Sequence, residues 1–205
     1  MEARQVIAGL DQYMDGLCAT LKQLDTAQLA RIVAVLLKAQ EDGKSIFTMG
    51  NGGHANTAAH MINDIAKHSI SSDKKDDVVT AKRFRTMCLN DSVSLLTGVA
   101  NDMGYDHVFS EQLKNWCQEG DVVIGVSGSG NSQNVLKAFE VARQRGATTI
   151  CFSGKGGGKA RELADICVVV PSDKMVQIED VHLAINHAVA DELKKALQGR
   201  TTLIG

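Results

Sequence analysis

Over the first forty residues the apolar positions recur at intervals of three and four. Ile7, Leu10, Met14, Leu17 and Leu21 form one set. Leu29, Ile32, Val33, Val35, Leu36 and Leu37 form a second, after a break near Asp25-Thr26. This spacing predicts two amphipathic helices ahead of the first strand. From Ser45 the period changes. SIFTMG (45–50) has the length and continuity of a buried strand, GNGGH is a turn, and HANTAAHMINDIAKH (54–68) is a helix. The polar stretch 69–82 predicts a loop, RFRTMCL (83–89) a second strand, and 91–100 and 107–117 two helices. DVVIGVS (121–127) is a third strand, followed by a helix over 131–146 that ends at Gly146. ATTICFS (147–153) and ICVVVP (166–171) complete the strands, separated by the glycine-rich stretch 154–159, expected to be a flexible connection, and a short helix over 159–164. One long amphipathic helix over 176–197 closes the pattern.

Strands alternating with helices predict an α/β fold: a doubly wound, mainly parallel five-stranded sheet of flavodoxin-like order, flanked by helices. Neither an internal repeat nor a linker interrupts the pattern, so residues 1–205 read as a single domain. The helical pair 1–42 has no strand-connecting role and is expected to pack on the domain or on a partner subunit.

Composition narrows the function. An apolar share of 44% with 22% charged residues excludes intrinsic disorder. A formal net charge of −2 gives no electrostatic reason to expect nucleic acid or an anionic membrane as partner. The longest apolar runs, VVIGV and ICVVV, are far short of the roughly 18 residues a membrane span needs. The leading segment MEARQVIAGLDQYMD carries acidic residues and no long apolar run, unlike a secretion signal. Cys18, Cys88, Cys117, Cys151 and Cys167 are scattered and odd in number, which predicts reduced, buried thiols in a cytoplasmic protein.

In a sheet of this kind ligands bind beyond the carboxyl ends of the strands. Two strand-to-helix turns there have suitable composition. Val126-Ser127-Gly128-Ser129-Gly130-Asn131-Ser132 combines glycines, which admit a ligand to the backbone, with hydroxyl donors and a following helix N-terminus. It reads as an anion cradle with Ser127, Ser129 and Ser132 as donors, although the same residues would also simply cap a helix. Met49-Gly50-Asn51-Gly52-Gly53-His54 matches a variant dinucleotide fingerprint, but no acidic residue stands where the ribose would need one. A nucleotide cofactor is therefore not expected. His60 and Asp64, four apart, share one helix face, and the last helix carries Glu179, Asp180, His182 and His187. A histidine and a carboxylate one turn apart can hold a divalent metal, act as an acid/base pair, or simply share a solvated face.

These residues taken together resemble a known family. The GNGG turn with His60 ten residues beyond its first glycine, Ala100-Asn101-Asp102, SGSGNS, Ser153-Gly154-Lys155 and IEDVHLAINH occur in the order found in the sugar isomerase (SIS) domain, and most closely in the phosphoheptose isomerases. The resemblance implies a cytoplasmic homotetramer that interconverts sedoheptulose 7-phosphate and a heptose 7-phosphate, a lipopolysaccharide precursor, through an enediol. It implies sugar-phosphate contacts from Asn51, Gly52, Gly53, Asn101, Asp102, Ser127, Gly128, Ser129, Ser132 and Glu179. It further implies one Zn2+ or other divalent ion per subunit on His60, Asp64, Glu179 and His187, with Asp64 and His187 as the proton-transfer pair. Against the family pattern, Asp64 replaces a glutamate and Glu179 a glutamine, and PSDKMVQ (171–177) lacks an Asp-Arg pair. The alternative is a non-catalytic phosphosugar-binding or adaptor module resembling the replication-initiator-associating protein.

Overall fold

The computed structural model describes residues 3–68 and 82–198. Helix α1 (Ala3–Leu21) and helix α2 (Thr26–Glu41) are separated where the Asp25 carboxylate caps α2, accepting from the amides of Ala27 (3.0 Å) and Gln28 (3.3 Å). Then follow β1 (Ser45–Gly50), α3 (Gly53–His68), β2 (Arg85–Cys88), α4 (Val93–Met103) and α5 (Ser110–Trp116). Next come β3 (Val122–Ser127), α6 (Gln133–Gln144), β4 (Thr148–Ser153), α7 (Ala160–Leu163), β5 (Ile166–Val169) and α8 (Met175–Leu197).

The five strands form one wholly parallel sheet in the order β2-β1-β3-β4-β5. In register, Thr48 faces Ile124 and Ile124 faces Ile150. Side-chain alternation gives the sheet two buried faces. Ile46, Ile124, Ile150 and Val168 meet Ile32 and Leu36 of α2, Met61 and Ile65 of α3, and Val181 and Ile185 of α8. Phe47, Met49, Val123 and Cys151 meet Phe109 and Leu113 of α5, Val135 and Phe139 of α6, and Ala160 of α7. Helices on both faces explain why the central strands are continuous apolar runs instead of alternating ones.

Four expectations shift. The helix predicted over 107–117 is a 3-10 turn at Tyr105–His107 followed by α5, and the second strand is only four residues long at the sheet edge. Cys18 is exposed on α1, not buried, because α1 meets the body of the fold along one narrow stripe. The connection 154–159 is not loose: the Gly154 amide donates to Gly128 O (3.1 Å), Lys159 N to Asn131 Oδ1 (3.0 Å) and Ala160 N to Gly130 O (2.9 Å). The predicted loop falls, over residues 69–81, outside the described residues. Among the described residues no helix is long and apolar enough to cross a membrane.

Candidate active site

Between β1 and β3 the strand order reverses, which leaves a crevice at their carboxyl ends. The two turns singled out in the sequence flank it. They are tied together by a reciprocal amide pair: Asn51 Nδ2 donates to Asn134 Oδ1 (2.9 Å) and Asn134 Nδ2 to Asn51 Oδ1 (2.8 Å). The Tyr105 hydroxyl also donates to Asn51 Oδ1 (2.9 Å). Gly52 has φ +55°, and Gly53 opens α3 with the Glu179 carboxylate so near that a Cβ there would stand 3.1 Å from both oxygens.

On the second turn Ser127 is buried, and its Oγ lies 3.0 Å from Ser132 Oγ. Ser132 occupies the N-cap position of α6 but makes no side-chain capping bond, so the helix's first amides stay uncapped by it. Ser129 Oγ accepts from Asn131 N (3.2 Å). Gly128 is buried against His54 and Met175. The turn therefore presents a helix N-terminus and hydroxyls of the kind that bind an anion.

A second cluster lies where α3 packs on α8. His60 and Asp64 are one turn apart on α3, and His187 reaches them from α8. His60 Nε2 is 3.2 Å from Asp64 Oδ2, His187 Nε2 is 3.8 Å from the same oxygen, and the two Nε2 atoms are 3.2 Å apart. The carboxylate is buried at 4% exposure, while both imidazoles are open to solvent. Two imidazole nitrogens this close repel unless a proton or a cation lies between them. A tetrahedral zinc with bonds of about 2.0–2.2 Å separates its donors by about 3.3–3.6 Å. The three separations here, 3.2, 3.2 and 3.8 Å, bracket that range, so shifts of a few tenths of an ångström would bring them to it, and the chemistry of two imidazoles with one carboxylate suits such an ion. Around the rest of Asp64, Asn186 Nδ2 donates to Oδ2 (3.1 Å), and Asn63 Nδ2 (3.3 Å) and Lys67 Nζ (3.5 Å) face Oδ1.

The structure thus brings His60, Asp64 and His187 together, but not Glu179, which is absent from that group and lies against Gly53. Asn101 and Asp102 are exposed on α4 and bonded to each other (2.9 Å). Sequence reading missed four contributors: Tyr105, Asn134, Asn186 and His54. The available signal was a polar residue inside a buried helical stripe, as Asn186 is among His182, Val189 and Leu193. His54 and His182 form a buried imidazole pair with centroids 5.2 Å apart. Burial pushes the pKa of His182 down to about 3, with the neighbouring His54 adding to the shift, and lowers that of His54, against which Glu179 acts. Both are neutral at pH 7. A cavity of about 680 Å³, lined by Lys44, Arg85, Trp116 and Asp121, opens at the opposite, amino-terminal end of β1.

Comparison with known proteins places these features in context. Residues 12–154 match the SIS domain family. A phosphoheptose isomerase of Akkermansia muciniphila is 35% identical over 176 residues, covering 85% of this chain and 87% of the relative. One of Clostridium acetobutylicum is 36% identical over 199 residues, covering 97% and 91%. The solved structure of the Neisseria gonorrhoeae phosphoheptose isomerase superposes with a TM-score of 0.82 at 26% identity, covering 94% of this chain and 98% of that one.

Proposed function

The chain belongs to the SIS domain family and, within it, to the phosphoheptose isomerases, and from that premise we propose that it interconverts sedoheptulose 7-phosphate and D-glycero-D-manno-heptose 7-phosphate. The observation that carries the reading is the convergence of Asp64 Oδ2 with the Nε2 atoms of His60 and His187 where α8 packs on α3, the helix that starts at the carboxyl end of β1.

Ketose–aldose interconversion moves a proton between carbons 1 and 2 through an enediol, so it needs a base at one carbon and an acid at the neighbouring oxygen. Asp64 and His187 are assigned as that pair, the atom of each that moves the proton being one that does not ligate an ion. His60, Asp64 and His187 are the residues that would hold one Zn2+ or other divalent ion per subunit. When bound, such an ion supplies Lewis-acid polarisation of the sugar's carbonyl and adjacent hydroxyl oxygens. The 7-phosphate goes to the serine turn, where Ser127, Gly128, Ser129 and Ser132 face it with the N-terminus of α6. Asn51, Gly52, Gly53 and Glu179 line the path between phosphate and reacting carbons, and Asn101 and Asp102 are assigned to the same sugar. Binding the phosphate far from the reacting carbons orients them, which lowers the entropic part of the barrier.

The protein is further proposed to act in the cytoplasm as a homotetramer, supplying a lipopolysaccharide precursor. Support for assembly comes from apolar residues left open on α1 and around the site: Ile7, Leu10 and Met14 on α1, and Val93, Met103 and Tyr105 beside the crevice. A partner subunit covering them would complete the pocket. An adaptor role gives no reason for three metal-type donors to converge in one place.

The decisive test is proton exchange by NMR in deuterium oxide, with sedoheptulose 7-phosphate and added zinc. Deuterium is expected at carbon 1 or 2 of the sugar, with Asp64→Asn lowering kcat/KM by about 10²–10⁴-fold. A wild-type protein that binds the sugar phosphate yet exchanges no proton would sink the isomerase reading.

A further inference from the structure

We propose that Asn186 is a positioning residue that fixes the plane of the Asp64 carboxylate so that one of its oxygens stays aimed at His60 and His187; this rests on the reading of that cluster given above. The two oxygens of Asp64 have different surroundings. Oδ1 faces Asn63 and Lys67, both on its own helix and both exposed. Oδ2 faces the two histidines, and among the described residues the one amide that reaches it comes from α8, where Asn186 is buried at 1% exposure. The final torsion of an aspartate side chain is broad and roughly two-fold, so the chain's own stereochemistry leaves the carboxylate free to turn. A donor anchored on the opposing helix removes that freedom. It also takes up one lone pair of Oδ2 and leaves the other directed at the imidazole nitrogens.

Packing offers no competing reason for an asparagine here. Its Oδ1 is buried and accepts no hydrogen bond from the described residues. An unpaired buried acceptor destabilises a fold. Along the buried stripe of α8, His182 lies one turn before Asn186, while Val189 and Leu193 beyond it are apolar and would be satisfied better by an apolar side chain. The reverse amide orientation would set Oδ1 against the carboxylate and turn attraction into repulsion. Only the orientation with Nδ2 on Asp64 is stable, and in it the acceptor is the atom left over. The position trades local stability for control of one oxygen atom.

Carboxylates that serve a metal are themselves held by neighbouring hydrogen bonds, and removing such a partner weakens metal affinity or activity by about 10–100-fold. The test uses the full chain with Asn186→Leu and Asn186→Ala. It measures zinc affinity by competition with a chromophoric chelator, kcat and KM for sedoheptulose 7-phosphate, and the melting temperature. We expect Asn186→Leu to melt at or above the wild-type temperature while zinc affinity and kcat each fall by about 10–100-fold and KM stays near its original value. Asn186→Ala should lose zinc affinity and kcat to the same degree despite melting lower. A packing role would instead separate the two variants, Leu behaving as wild type and Ala failing. An Asn186→Leu protein with unchanged zinc affinity and kcat would overturn the role of Asn186 while leaving the isomerase reading in place. A wild-type protein that binds no zinc and turns over no substrate would overturn both.

Discussion

His182 is fully buried, with its Nε2 donating to Ser153 O at 3.2 Å, and this imidazole remains neutral down to about pH 3. In the unfolded chain it would take up a proton near pH 6.5. Between those values the unfolded state binds more protons than the folded one. The stability His182 contributes is therefore present above about pH 6.5 and lost as pH falls below it. The slope approaches about 1.4 kcal/mol per pH unit for one such group, and His54, lowered for the same reason, steepens it. Urea denaturation at pH 7 and pH 5 should show this loss, and His182→Leu should flatten the dependence even though it breaks the bond to Ser153. At this scale the sequence was informative only where partners are close in the chain. His60 and Asp64 declare themselves by their helical spacing. Asn186 shows only as a polar residue in a buried helical stripe, and the partner that gives it a role is 122 residues away.

The elements were legible because the hydrophobic period changes at each one. Apolar runs of strand length between amphipathic stretches fixed five strands and their parallel sense. The glycine-rich connection was misread because its order comes from elsewhere: its backbone is bonded to the serine turn, some thirty residues earlier. Gly130 is the point of closest approach. Its φ is +63°, and a Cβ there would stand 1.8 Å from the carbonyl oxygen of Gly157. Gly156 has a similar φ of +78° but open space around it. Gly156→Ala should cost about 1–2 kcal/mol from left-handed backbone alone. Gly130→Ala carries that cost plus the collision, which must push the two loops apart, so it should lose more stability and raise KM through the phosphate site. Parallel denaturation and kinetic measurements on the two variants separate conformation from contact. Equal losses would mean that the loops are not held together as described.

For the whole molecule, α1 is the part least accounted for by the fold itself. It meets α8, where Tyr13 donates to Asp180 and Gly16 admits Gln177, while Ile7 (58% exposed), Leu10 (57%) and Met14 (58%) face outward. A row of this kind on a helix is an interface in waiting. Sedimentation at micromolar concentration should find a tetramer, and Leu10→Asp should reduce it to smaller species with the fold retained. A wild-type monomer would leave the outward row of α1 unexplained.

The distance along the chain between the two histidines sets a clock. His60 and His187 are 127 residues apart, and the helix bearing His187 is the last element among the described residues. A ribosome adding about 5–20 residues per second needs roughly 6–25 s to pass from one to the other. Throughout that interval the nascent chain displays His60 and Asp64 without their counterpart, on a helix whose packing partner is not yet synthesised. A translation product truncated before α8 would carry all five strands of the sheet but only two of the three convergent donors, His60 and Asp64.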